Sequence, residues 1–79
     1  MHNRERIISI LKTVSKKSSV PDPSESLFDS GYLDSFALPD MVSDLEREFK
    51  IKIPDSDLNP RKFESIERIE SYVESKIAG

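Results

Sequence analysis

Leu38, Met41, Val42, Leu45 and Phe49 recur at i, i+3, i+4, i+7 and i+11, and that spacing admits a helix and little else. A strand would throw members of the set onto opposite faces. The period predicts a helix over residues 35–49 whose apolar stripe other elements must cover. Two further segments supply partners. Across residues 3–16, Ile7, Ile8, Leu11 and Val14 share a face, with Ile10 at its flank. After Ser65, a good N-cap, Ile66, Ile69, Tyr72, Val73 and Ile77 share another. Lys16 and Lys17 close the first segment, where positive charge suits the end of a helix.

Between these segments the signals are for loops. Residues 18–34 hold Pro21, Pro23, five serines and Gly31, together with Leu27, Phe28, Tyr32 and Leu33. Apolar residues in such a stretch imply a long loop folded back onto the helices. Lys50-Ile51-Lys52-Ile53-Pro54 reads as short and extended. Asn59-Pro60 is a helix-start signal, an N-cap followed by proline at the first helical position, so a one-turn helix carrying Phe63 inward is expected there. The expected fold is all-α. It is a four-helix bundle in one domain, residues 1–79, with a long first loop and a short third helix.

Composition narrows the chemistry. Seventy-nine residues lie near the lower limit for a core that holds without staples. With no Cys there is no disulfide, no thiolate metal site and no nucleophilic thiol, and a metal site is not expected. The single histidine, His2, stands at the N-terminus and is poorly placed for acid–base work. A hydrolytic triad therefore has no base, and no catalytic residue is assigned. Two glycines cannot build a Gly-rich phosphate loop. Residues 29–34 lack the alternating ligands and closing glutamate of a calcium loop. No secretory segment or membrane span is legible, which fits a cytoplasmic, monomeric protein that does not insert into a membrane.

Charge is segregated. Residues 1–20 carry five bases against one acid, whereas residues 21–58 carry ten acids against three bases. An acidic middle disfavours nucleic acid and suits partners with basic docking surfaces. Ser35 lies inside it, where the turn with Gly31 meets the second helix. A hydroxyl there sits at the positive end of a helix, beside unpaired N–H groups. Asp34 or Ser35 can cap this helix, and on the local sequence alone Ser35 reads first as an ordinary N-cap. Pro39 removes one N–H of the first turn, so a slightly opened start is expected.

Leu33-Asp34-Ser35-Phe36, the run to Leu45-Glu46-Arg47-Glu48-Phe49, and the exit Ile51-Lys52-Ile53-Pro54 together resemble the acyl carrier protein family. That family shows Asp-Ser-Leu at the start of its second helix, an acidic helix ending in Glu-Phe, and a hydrophobic-X-hydrophobic-Pro exit. The likeness covers essentially the whole chain. It implies that Ser35 is the attachment point for 4′-phosphopantetheine, added from coenzyme A by a magnesium-dependent phosphopantetheinyl transferase. It also implies that Asp34 flanks the motif as a residue the transferase reads. The arm's thiol would hold cargo as a thioester, loaded by an adenylating ligase or acyltransferase and passed to an acceptor enzyme.

By the same resemblance the exposed side of the second helix is the docking surface, here Phe36, Pro39, Asp40, Ser43 and Arg47. The chain departs from the pattern at Arg47, where an acid is frequent, and at Pro39 and Ser43, which replace apolar contacts. Glu46 and Glu48 read as solvated face. The segment Asp57 to Ile66, with Phe63, resembles that of D-alanyl and other stand-alone aminoacyl carriers. Phe28, Phe49, Phe63 and Tyr72 would crowd a pocket for a fatty chain. An aminoacyl carrier is the leading expectation; a fatty-acyl or polyketide carrier and an unmodified helical interaction domain are the alternatives.

Overall fold

Where the chain carries its apolar stripes, the structure has α-helices: α1 (His2–Ser15), α2 (Leu38–Phe49) and α3 (Ile66–Ala78). It is a computed structural model that describes residues 2–78, with side chains from 3 to 77. The expectation for the His2 side chain lies outside the described residues. Each helix packs on the other two. All five residues of the α2 stripe are buried, alongside Ile7, Ile10 and Leu11 of α1 and Ile66, Ile69 and Val73 of α3. Burial of each such side chain contributes about 1.5–3 kcal/mol. Two placements differ from expectation. Ile10 enters the core while Ile8 and Val14 lie at its margin, and Ile77 is half exposed.

The long loop folds inward as expected, through Leu27 and Leu33. Backbone bonds fasten it to the start of α3: Leu27 N–H donates to the Glu64 carbonyl at 2.6 Å, and Glu67 N–H to the Pro23 carbonyl at 3.1 Å. Ser65 Oγ accepts from Arg68 N–H at 3.2 Å, which is the cap read from the sequence. Neither α1 nor α2 ends on glycine. Lys16 (φ 61°) and Lys50 (φ 55°) take the left-handed conformation instead.

The fourth helix is not formed. Three α-helices and two 3-10 turns, Ser35–Ala37 and Asp55–Asp57, stand among the described residues. At the expected third helix, Lys62 N–H reaches the Asn59 carbonyl and Phe63 N–H the Pro60 carbonyl, both at 3.3 Å, and no further turn follows. Ser65 already caps α3 two residues on, so the segment is too short to repay helix nucleation. Phe63 is fully buried nonetheless, edge-on to Tyr72 with ring centroids 5.0 Å apart.

Asp57 clamps this segment to α3. Its carboxylate accepts from Tyr72 OH at 2.7 Å and lies 3.6 Å from Lys62 Nζ and 3.9 Å from Lys76 Nζ. The Tyr72 hydrogen bond, with the two ammonium groups, holds the carboxyl below the usual carboxylate range against partial desolvation. Burial, then the Asp57 bond, pushes the Tyr72 phenol up. A depressed carboxyl stabilises the fold above its unfolded value, about 4, and that contribution disappears as pH falls through the folded value. Asp57→Asn is therefore expected to lower the urea midpoint at pH 7 and to flatten its decline below about pH 4. An unchanged acid limb would remove Asp57 from the clamp.

Candidate functional site

Leu33 and Leu38 are both buried, and the four residues between them arch over the core edge. Asp34, Ser35 and Phe36 stand exposed on that arch, and Ala37 is partly covered. The turn is built by Asp34. Its Oδ1 accepts from Phe36 N–H at 3.0 Å and Ala37 N–H at 3.2 Å. Of the two possible caps, the structure uses Asp34. The Ser35 hydroxyl takes no part in the capping, and it makes no hydrogen bond among the described residues. The N–H groups expected to be bare around it are, at Phe36 and Ala37, already satisfied by a carboxylate.

The opened first turn expected at Pro39 is not what forms: the chain tightens there instead. Leu38 N–H donates to the Ser35 carbonyl in a 3-10 turn, and α2 proper begins at Leu38 with proline in its first turn. The 3-10 turn spares the missing N–H an intrahelical partner. It also leaves Ser35 one turn outside the regular helix, at the apex of a tight bend.

The expected docking residues do form one solvent-facing strip. Phe36 is 89% exposed, the most exposed large apolar side chain among the described residues, and Pro39, Asp40, Ser43 and Arg47 follow it along α2 in the open. Arg47 pairs with Asp44 at 3.2 Å, so its charge is partly offset. Glu46 and Glu48 are not idle solvated face. Glu46 Oε2 accepts from Ile53 N–H at 2.8 Å, which fixes the extended exit of α2. Glu48 pairs with Arg6 at 2.7 Å and its carbonyl accepts from the same guanidinium at 2.6 Å, which joins α2 to α1. Arg6 lies over the Phe49 ring at 4.4 Å as well.

Lys17 was legible only as a charge at the end of α1, yet it belongs near the site. Its Nζ donates to the carbonyls of Gly31, at 3.3 Å, and Tyr32, at 3.2 Å. A groove of about 260 Å³ lies there, lined by Val14, Lys17, Tyr32, Leu33, Asp34 and Ala37. The signal that could have found Lys17 is the absence of any base in residues 21–46, which hold seven acids. A cation just before such a stretch has many acceptors to find. Among the described residues, no group of His, Asp and Glu that could hold a metal ion occurs, and no helix is long and apolar enough to cross a membrane.

Comparison with known proteins turns this geometry into a class. The phosphopantetheine attachment site family matches residues 5–73. The chain belongs to that family. A D-alanyl carrier protein of Leuconostoc mesenteroides is 31% identical over 98% of this chain and 99% of its own length. An acyl carrier protein of Thermotoga maritima is 35% identical over 98% and 99%. Aminoacyl carrier protein 1 of Bradyrhizobium diazoefficiens is 30% identical over 94% and 84%. The protein is thus a phosphopantetheine carrier and not an enzyme. It bears 4′-phosphopantetheine covalently and works with the enzymes that attach, load and unload that arm.

Proposed function

We propose that residues 1–79 act as one cytoplasmic aminoacyl carrier unit, with the arm on Ser35. The observation that supports Ser35 most directly is the division of labour at the arch: Asp34 caps the turn, and the neighbouring hydroxyl is exposed and unengaged. A serine that served as the cap would have to surrender its bond before it could be esterified. Here the residues fit the group, because the hydroxyl is free to react while the turn stays closed. Leu33 and Leu38 hold the arch from below, so the oxygen is offered at a defined place.

In the modification, the Ser35 oxygen forms the new P–O bond and the pyrophosphate P–O bond of coenzyme A breaks. Adenosine 3′,5′-bisphosphate leaves, and the hydroxyl proton passes to the transferase. Once bound, the arm supplies the thiol that carries cargo as a thioester. Asp34 keeps the turn formed and presents a carboxylate beside the reacting oxygen for the transferase to read. Phe36, Pro39, Asp40, Ser43 and Arg47 form the strip on which the transferase, the loading ligase and the acceptor dock. Amino-acid cargo is favoured over a fatty chain by the Phe63–Tyr72 pair, which fills the interior beside α3, and by the names of the D-alanyl and aminoacyl relatives.

The reading is tested by incubating the chain with coenzyme A, magnesium and a phosphopantetheinyl transferase. Intact mass is expected to rise by one arm, and peptide fragmentation to locate it on Ser35. A gain on any other serine overturns the assignment.

The docking strip has its own test. Phe36→Ala is expected to leave the melting temperature within about 2 °C, because the ring is exposed and contributes little to the core. An exposed aromatic that anchors a partner is worth about 2 kcal/mol, so KM for the transferase should rise roughly ten- to thirtyfold with kcat little changed. An unchanged KM would take Phe36 out of the interface.

A further inference from the structure

We infer that Lys17 is a positioning residue for the modification of Ser35: it ties the end of α1 to the last turn of the long loop and so holds the arch in register. The inference rests on Ser35 being the attachment point. Its geometric basis begins at the helix end. Lys16 takes the left-handed conformation after α1, and Lys17 N–H then donates to Ser15 Oγ at 3.2 Å. The turn sends the Lys17 side chain toward the loop. There the ammonium donates to the Gly31 and Tyr32 carbonyls and stands 5.1 Å from the centre of the Tyr32 ring.

The segment it holds is otherwise restrained by bonds made within the loop, among them Tyr32 N–H to Ser30 Oγ at 3.4 Å and Ser30 N–H to the Ser26 carbonyl at 3.2 Å. Gly31 is itself left-handed, at φ 82°, and a Cβ built there would meet nothing within 4 Å, so this turn is open to solvent. Gly31 N–H donates to the Phe28 carbonyl at 3.1 Å and Leu33 N–H to the Leu27 carbonyl at 2.9 Å, both contacts within the loop. Tyr32 adds no hydrogen bond of its own through the phenol, whose buried oxygen has no partner among the described residues. Lys17 is the one side chain from outside the loop that donates to the backbone of residues 28–34 among the described residues. An ammonium has three donors and no acceptor, so two carbonyls and an aromatic face suit it.

Leu33 follows directly and Ser35 is two residues further. Without the ammonium, the Gly31–Tyr32 turn keeps only its bonds within the loop, and Tyr32 loses the cation over its ring. The arch then keeps its inner anchor but gains freedom on the loop side. Group transfer to a hydroxyl is sensitive to displacements of an ångström or less.

The test compares Lys17→Met, which keeps the stem, with Lys17→Arg and with Lys12→Met, a matched charge loss on the exposed side of α1. Two measurements are made: steady-state transfer of the arm from coenzyme A, and amide hydrogen exchange in the unmodified chain. Lys17→Met is expected to lower kcat/KM about five- to tenfold, at least half of it in kcat, with the melting temperature within about 3 °C of the parent. Exchange at Gly31–Leu33 should rise roughly tenfold. Lys17→Arg should restore most of both, and Lys12→Met should resemble the parent in both. Equal modification and equal exchange in Lys17→Met and parent overturn the role of Lys17 alone. A fall as large in Lys12→Met assigns the effect to net charge and overturns it too. If the parent chain takes no arm, the Ser35 reading falls first, and the positioning role falls with it even where the exchange difference is seen.

Discussion

Ser35→Ala is expected to abolish the gain of an arm entirely while leaving the melting temperature within about 2 °C. Asp34→Ala is expected to do the reverse in kind: it still accepts the arm, more slowly, but loses stability. The contrast follows from who makes the bonds. Asp34 Oδ1 accepts from two backbone N–H groups of the arch. Truncating a capping aspartate costs about 0.5–2 kcal/mol, which in a domain of this size lowers the melting temperature by roughly 2–16 °C. The Ser35 hydroxyl is exposed and bonded to none of the described residues, so its removal strands no donor or acceptor. Thermal melts by circular dichroism and intact mass after transferase treatment read both variants. A melting temperature that dropped for Ser35→Ala and held for Asp34→Ala would mean that serine is the cap, and the case for a free nucleophile would be lost.

Phe63→Ala is expected to lower the melting temperature by roughly 12–40 °C. The ring is fully buried and meets Tyr72 edge-on at 5.0 Å. Truncating a buried phenylalanine costs about 3–5 kcal/mol, with the aromatic contact inside that figure. A 79-residue chain has a total stability of about 4–12 kcal/mol. The loss thus takes about a quarter of the total at the least, and all of it at the lower end. Phe63→Leu keeps most of the volume and should retain the cooperative melt at a lower temperature. A melting temperature for Phe63→Ala within about 5 °C of the parent would show that the 59–63 turn can leave the core without consequence.

That second prediction concerns a residue whose burial was foreseen on an element that was not. Phe63 was expected to be carried inward by a short helix, and it is inward, on a turn. The apolar side chain determines which way the segment faces because burial is worth kilocalories. Whether two consecutive i→i+3 bonds grow into a helix depends on the room left before Ser65 caps α3, and a few tenths of a kilocalorie per residue decide it. Asn59-Pro60 marked where the chain turns, but the one-turn helix expected to start there is not formed.

The same split runs through the site. Periodicity located α2 to within its first turn, and Pro39 marked a missing N–H there, a local fact of covalent structure, but the opened turn expected from it is a tighter 3-10 turn. The choice between Asp34 and Ser35 as cap was not local. Both residue types cap well, and the selection fell to the carboxylate because buried Leu33 and Leu38 set the path of the arch between them. Likewise, Glu46 and Glu48 look like solvent-facing acids on a helix wheel. One is spent on Ile53 N–H, the other on Arg6.

Sequence alone therefore settled the helical class, the three apolar faces, the cap at Ser65 and the resemblance that points to Ser35, because each depends on spacing along one chain segment. Tertiary structure decided which residue closes the arch, that Phe63 is buried from a turn, and that Lys17 reaches the loop. Those outcomes depend on groups far apart in sequence competing for the same donors, acceptors and core volume, and that competition exists only once the helices have packed.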